Sequence, residues 1–232
     1  MDEVIEDEDV RTAKLRDAQA KAVELFDAVR HSGIIVPGVR EIEASNSIRY
    51  LAAEMFGVDR YWHKRIVRSG ENTLQPYRED PPDRMVEDDD IVFCDFGPIF
   101  EAWEADFGRT YVIGDDPVKL KLRDSLPGVW ADGRAFFERH QDVTGEQLYV
   151  HLTELAKQAG WEFGGSIAGH LVGQFPHEKI AGDEIGSYIA PGSTEPMRRR
   201  DRNGQLCHWI LEVHLVDRDL RIGGFYEQLL DL

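Results

Sequence analysis

FCDFGPIFEAWEADFGRTYVIG, residues 93–114, carries two aspartates on two runs of strand character. IVFCDF holds Asp95, Asp106 opens the run that continues to RTYVIG, and the intervening GPIFEAWEA can fold back as a hairpin. Eleven residues apart, the two carboxylates can then face each other. Three later segments add ligand-type residues: AGHLVGQFPHE (168–178) with His170 and His177, WILEVHLVD (209–217) with Glu212, and GGFYEQLL (223–230) with Glu227.

Each of these residues alone has an ordinary explanation. Asp106 reads as a hairpin turn residue, Glu212 and Glu227 as solvent-side residues of alternating strands, and His170 as a satisfied core histidine. Jointly they read otherwise. Glu212 and Glu227 sit in the middle of apolar strands, which is costly for a carboxylate unless it is paired or metal-bound. Gly169 and Gly173 on either side of His170 let a backbone or ligand approach closely. Four carboxylates and one imidazole form a hard oxygen and borderline nitrogen donor set suited to Mn, Co, Zn or Fe. Without a cation, at least one carboxylate would have to take up a proton. A pair of divalent ions about 3.5 to 4 Å apart can acidify a shared water and polarise a carbonyl, so amide hydrolysis is the reaction such a set would serve.

The ordered set Asp95, Asp106, His170, Glu212 and Glu227, with Gly169-His170-Leu171-Val172-Gly173 and Pro176-His177-Glu178, resembles the pita-bread metallopeptidases, the superfamily of methionine aminopeptidase, prolidase and aminopeptidase P. The resemblance covers roughly residues 10 to 232. It implies an α+β pita-bread fold: two pseudo-duplicated helix-helix-strand halves and a curved antiparallel sheet with a central metal site. It implies two divalent ions, Mn first, with Co, Zn or Fe as alternatives. Asp95 would chelate one, His170 and Glu212 the other, and Asp106 and Glu227 both. The catalytic residues implied are His177, which would hydrogen-bond the scissile amide or tetrahedral intermediate, and Glu212.

The pattern is not followed everywhere. Glu212 precedes Val213-His214-Leu215 where the family usually has Pro-Gly. SGENTLQPYRED (69–80) looks like a stretch of the proline-directed members, but Tyr77 stands where they carry a histidine. His63, in YWHKRIVRSG (61–70), is the nearest available imidazole, and His63 and Tyr77 are candidate substrate-binding residues. His214 reads better as a structural strand residue than as a site group, and His31, His140, His151 and His208 carry no site signal. Residues 181–207 form a long loop holding Arg198, Arg199, Arg200 and Arg202. Such arginines usually pair with carboxylates or water; as substrate-binding candidates they would fork onto a terminal carboxylate.

Leu15, Ala18, Ala22, Leu25, Phe26 and Val29 predict a helix over about 10–31, and a second helical pattern ends at Gly57. Pro127-Gly128 is expected to bend or split a helix over 116–140. Thr144-Gly145-Glu146-Gln147 reads as a capping box opening a helix to about Gln158. IVPGVREIE (35–43) loosely echoes DVTGEQLYV (142–150), as a duplicated fold would.

At 232 residues, the chain is read as an acidic flexible arm over 1–10 and a single catalytic domain over 11–232, with no room for the separate N-terminal domain of prolidase and aminopeptidase P. Twenty-seven basic against 44 acidic residues give a net charge of −17, without the basic footprint of a nucleic-acid binder. With no long apolar span, no signal peptide and two cysteines, Cys94 and Cys207, the expectation is a reduced, cytoplasmic protein that does not engage membranes. The function expected is a dinuclear Xaa-Pro aminopeptidase or dipeptidase acting on short peptides. Alternatives are a small-molecule amidohydrolase and an inactive binding module, and a homodimer is compatible with any of them.

Overall fold

The protein is described by a computed structural model over residues 7–176, 185–201 and 203–232. Helix α1 (Glu8–His31) opens at Asp7, whose side chain accepts from the Asp9 N–H at 3.0 Å. It therefore begins inside the segment expected as a flexible arm, and Glu8, Asp9 and Val10 are helical. Its stripe of Leu15, Ala18, Ala22, Leu25, Phe26 and Val29 is fully buried. Helix α2 (Glu41–Phe56) ends on Gly57, whose φ of 69° supplies the left-handed cap that a side chain would resist.

The first half continues with strands β1 (Ile66–Ser69) and β2 (Ile91–Phe96), a short hairpin of β3 (Ile99–Phe100) and β4 (Trp103–Glu104), and β5 (Phe107–Val112). The second half repeats the plan. Helices α3 (Pro117–Arg139) and α4 (Gly145–Gln158) precede β6 (Glu162–Phe163), β7 (Leu171–Val172), β8 (His208–Asp217) and β9 (Ile222–Leu229). The capping box at α4 is formed: Thr144 Oγ1 accepts from the Gln147 N–H at 3.2 Å and Gln147 Oε1 from the Thr144 N–H at 3.0 Å. At the equivalent start of α2, Glu43 Oε2 accepts from the Arg40 N–H at 2.9 Å, so the sequence echo marks equivalent helix starts.

Helix α3 is not split at Pro127. Pro127 and Gly128 face solvent, where water can satisfy the carbonyl that proline leaves unpaired, while Leu122, Leu126, Val129 and Trp130 are buried on either side. Those apolar anchors hold the helix through the break in its hydrogen bonding.

The main sheet is antiparallel in the order β1-β2-β5-β9-β8-β6, with β7 also paired to β8. The halves thus enter as mirrored triplets and meet at β5 and β9 through the single register pair Gly108↔Glu227. Val92, Cys94 and Phe96 pack in one core with α1 and α2, while Leu211, Val213 and Leu215 pack in another with α3 and α4. By the two-residue alternation of strands, Asp95, Glu212 and Glu227 project from the other face. Cys94 and Cys207 are free thiols. Among the described residues, no helix is long and apolar enough to cross a membrane.

Candidate metal centre

The register places the candidate ligands in one row across the sheet. Ile66 pairs with Asp95, Asp95 with Gly108, Gly108 with Glu227, and Glu227 with Glu212. Asp106 lies just before β5, two residues from Gly108, so the hairpin returns it toward Asp95. Two glutamates directly opposite each other on neighbouring strands repel. This arrangement needs positive charge in front of it.

His170 reaches the row from the segment beside β8. Its carbonyl accepts from the Ile210 N–H at 2.9 Å, next to Gly169. Gly169 has φ of 136°, and a Cβ there would stand 2.0 Å from the Ile210 carbonyl oxygen, so only glycine permits this approach. His170 Nδ1 donates to the Leu171 carbonyl at 2.8 Å, and its Nε2 lies 3.0 Å from Asp106 Oδ2, 3.6 Å from Glu212 Oε1 and 3.9 Å from Glu227 Oε1.

His63 enters from the other side. Its Nε2 is 3.0 Å from Asp106 Oδ1 and 3.5 Å from Asp95 Oδ1, and its side chain is 2% exposed. Asp106 therefore presents one oxygen to each imidazole. Two compact donor groups result, one of His63, Asp95 and Asp106 and one of Asp106, His170 and Glu227.

Burial, opposed by His63, raises the Asp95 carboxyl to about 8, and burial raises Glu212 to about 7. Burial and the neighbouring carboxylates hold Glu227 well above the usual range. Burial also works against ionisation of Asp106, but His63 and His170 outweigh it and hold that carboxyl down at about 2. Among the described residues, Asp95 Oδ1 and Glu227 Oε2 are buried and have no hydrogen-bond partner. Orphaned carboxylate oxygens facing an imidazole-rich cluster fit a divalent cation, which would keep all four carboxylates ionised.

The sequence profile of metallopeptidase family M24 matches residues 13–203. The chain belongs to this family. It is similar to the Xaa-Pro dipeptidase of Pyrococcus furiosus, 27% identical over 182 residues, which cover 77% of this chain and 51% of the relative. Its fold matches the X-Pro aminopeptidase of Thermotoga maritima with a TM-score of 0.73 at 20% identity, over 95% of this chain and 58% of that one. The methionine aminopeptidase of Rickettsia prowazekii matches with a TM-score of 0.65 at 16% identity, over 94% of this chain and 91% of that one. The fold is thus the pita-bread fold expected from the ligand order. The M24 chain spans about half the length of the curated relatives it matches.

All five expected ligands of the M24 chain come together, and His63, expected as a candidate substrate-binding residue, stands among them. Tyr77 is half-exposed at the edge, its ring centroid 6.0 Å from that of His63. His177 lies outside the described residues, as does Arg202. The other arginines of the loop contact backbone carbonyls and a ring outside the two donor groups. Arg198 stacks on Phe137 at 3.8 Å and donates to the Phe137 and His140 carbonyls at the end of α3. Arg199 donates to the Gly186 and Pro196 carbonyls, and Arg200 to that of Gly204. Their guanidinium groups tie the loop to itself and to a helix end rich in unpaired carbonyls. His214 is buried with Nε2 donating to the Thr73 carbonyl at 2.8 Å, and burial lowers it to about 4, so it is a neutral structural residue. Arg109 carries no signal in the sequence; it stacks between Phe107 and Tyr226 and donates to the Glu227 carbonyl at 2.9 Å, fixing the strand behind that carboxylate.

Proposed function

We propose that this chain is a dinuclear metal-dependent peptidase that hydrolyses the amide bond after the N-terminal residue of short Xaa-Pro peptides, as an aminopeptidase or dipeptidase. The observation that carries the reading is the Asp106 carboxylate, with its two oxygens directed into two separate donor groups. Asp95 would hold one ion, His170 and Glu212 the other, and Asp106 and Glu227 both. Mn is the first choice, with Co, Zn or Fe as alternatives. When bound, such ions acidify water and polarise a carbonyl.

Glu212 is the most exposed of the four carboxylates, at 15% against 7% for Asp95, 4% for Asp106 and 2% for Glu227. As the carboxylate most open to solvent, Glu212 would take a proton from the attacking water and return it to the leaving amine. His177 would donate to the developing oxyanion, as the resemblance to the family implies. Names of relatives that act on Xaa-Pro bonds support the substrate class. The inactive-module reading draws on Tyr77, a phenol in the place of the histidine of proline-directed members. Two free thiols, one of them buried, suit a reducing cytoplasm, which is part of the proposal.

Metal-free protein reloaded with Mn, Co or Zn in turn and assayed on Xaa-Pro peptides, non-proline peptides and small amides tests this function. Turnover confined to Xaa-Pro peptides is the expected result. Turnover only of small amides would move the assignment to an amidohydrolase, and metal uptake with no turnover on any of them would make the chain a binding module.

A further inference from the structure

The dinuclear reading assigns five ligands, and His63 is not one of them; we propose that His63 is a sixth metal ligand, sharing with Asp95 and Asp106 the ion on that side. This proposal rests on the reading that the centre holds metal.

Three observations carry it. First, the ring is locked in the tautomer a ligand needs. His63 Nδ1 lies 2.6 Å from the Lys64 carbonyl oxygen, which can only accept, so Nδ1 holds the hydrogen and the lone pair of the neutral ring is at Nε2. His170 is set in the same way by the carbonyl of the residue that follows it. Metal-bound imidazoles characteristically have their other nitrogen fixed by such an acceptor.

Second, the spacing is that of ligands around one ion. With metal–ligand bonds of about 2.0–2.2 Å, donors in tetrahedral or octahedral shells lie roughly 2.9–3.5 Å apart. His63 Nε2 stands 3.0 Å from Asp106 Oδ1 and 3.5 Å from Asp95 Oδ1, and Asp95 Oδ1 has no hydrogen-bond partner among the described residues. The His63 side chain is 2% exposed, so its Nε2 faces these oxygens and not solvent.

Third, the local fold delivers the ring. The Trp62 N–H donates to the Gly97 carbonyl at 3.0 Å, the Ile99 N–H to the Arg60 carbonyl at 3.1 Å, and Trp62 Nε1 to the Ala105 carbonyl at 3.2 Å. Residues 60–62 are thereby fastened to the hairpin that carries Asp95 and Asp106. A Cβ at Gly97 would stand 2.3 Å from His63 Cδ2, so the ring occupies space that the glycine leaves. With five ligands alone, one ion would have His170 and Glu212 to itself and the other only Asp95. His63 makes the two sides alike, each with one imidazole, one carboxylate of its own and the shared Asp106 and Glu227.

Cobalt-substituted protein tests the assignment without relying on activity. Both rings retain an Nδ1 proton on a carbonyl, so paramagnetic proton NMR of the wild-type protein should show two exchangeable imidazole resonances. His63→Gln should remove one, and His170→Gln the other. Competition against a chromophoric chelator should show one of two cobalt steps weakened more than about 100-fold in His63→Gln, beyond the 10–100-fold typical of a residue that only supports a ligand. Wild-type protein with two bound cobalt ions but one such resonance, the one lost in His170→Gln, would overturn the role of His63 and leave the dinuclear reading intact. No cobalt uptake by the wild-type protein would overturn both. Because the wild-type spectrum is itself diagnostic, the test survives a variant that does not fold.

Discussion

Glu212 and Glu227 are directly opposed cross-strand partners on β8 and β9, two buried or nearly buried carboxylates facing each other. Like charges in that position destabilise a sheet, and burial adds a desolvation cost that only a cation or a proton relieves. The metal-free protein carries this cost. Glu227→Gln should therefore raise the stability of the metal-free protein by about 1 kcal/mol while removing most of the stabilisation that added metal gives the wild type. Denaturant unfolding with and without divalent metal reads both effects; a variant less stable without metal and still stabilised by it would contradict the role.

The legible part of this site was the part written in strands. Glu212 and Glu227 stand out because each interrupts an apolar strand, and Asp95 because it ends one, so local sequence alone raises the question of what neutralises them. His63 was not legible in the same way. It sits in a loop without periodicity, and its place depends on main-chain bonds from residues 60–62 to the β3 hairpin, a contact no local pattern encodes. The contacts of the arginines were hidden for the opposite reason. Their clustering is visible in sequence, but the acceptors that use them are backbone carbonyls at the end of α3 and within the loop, which composition does not reveal. Pro127 shows how tertiary packing overrides a local rule, since four buried side chains hold the helix around it.

Arg198 should matter for folding and not for substrate choice. Arg198→Ala removes three carbonyl contacts, to Phe137, His140 and Gln141, and a stacking contact at the end of α3. The expected loss is about 1 kcal/mol of stability, with the preference between a dipeptide and its C-terminal amide unchanged. Comparison of kcat/KM for the two substrates checks it: a preference that collapses in the variant would return the arginine to the substrate site.

His208 joins the two ends of the described chain, with Nε2 2.7 Å from Glu8 Oε1 and Nδ1 2.9 Å from Asp231 Oδ2. Burial opposes its protonation, but Asp231 and Glu8 outweigh burial and raise it above 6.5. For Glu8, burial raises the carboxyl, and His208 with Arg11 outweighs it and brings it below 4.5. A raised histidine stabilises fully below its unfolded value and loses the contribution as pH rises through the folded one. A lowered carboxyl stabilises above its unfolded value and loses the contribution as pH falls. The lock is therefore strongest between about pH 4.5 and 6.5. His208→Ala should cost about 1–3 kcal/mol in that window and less at pH 9. Thermal unfolding of both proteins across pH checks this, and a difference that grows toward pH 9 would contradict it.

The central claim is that Asp106 joins two metal positions on which hydrolysis depends. Elemental analysis beside Xaa-Pro hydrolysis, run on the wild type and on Asp106→Asn after reloading with divalent metal, tests it most directly. The wild type should hold about two ions, as a two-metal hydrolytic centre requires, and turn over substrate, whereas the variant should lose bound metal and all measurable hydrolysis. Wild-type turnover without bound metal, or a near-normal rate in Asp106→Asn, would contradict the claim.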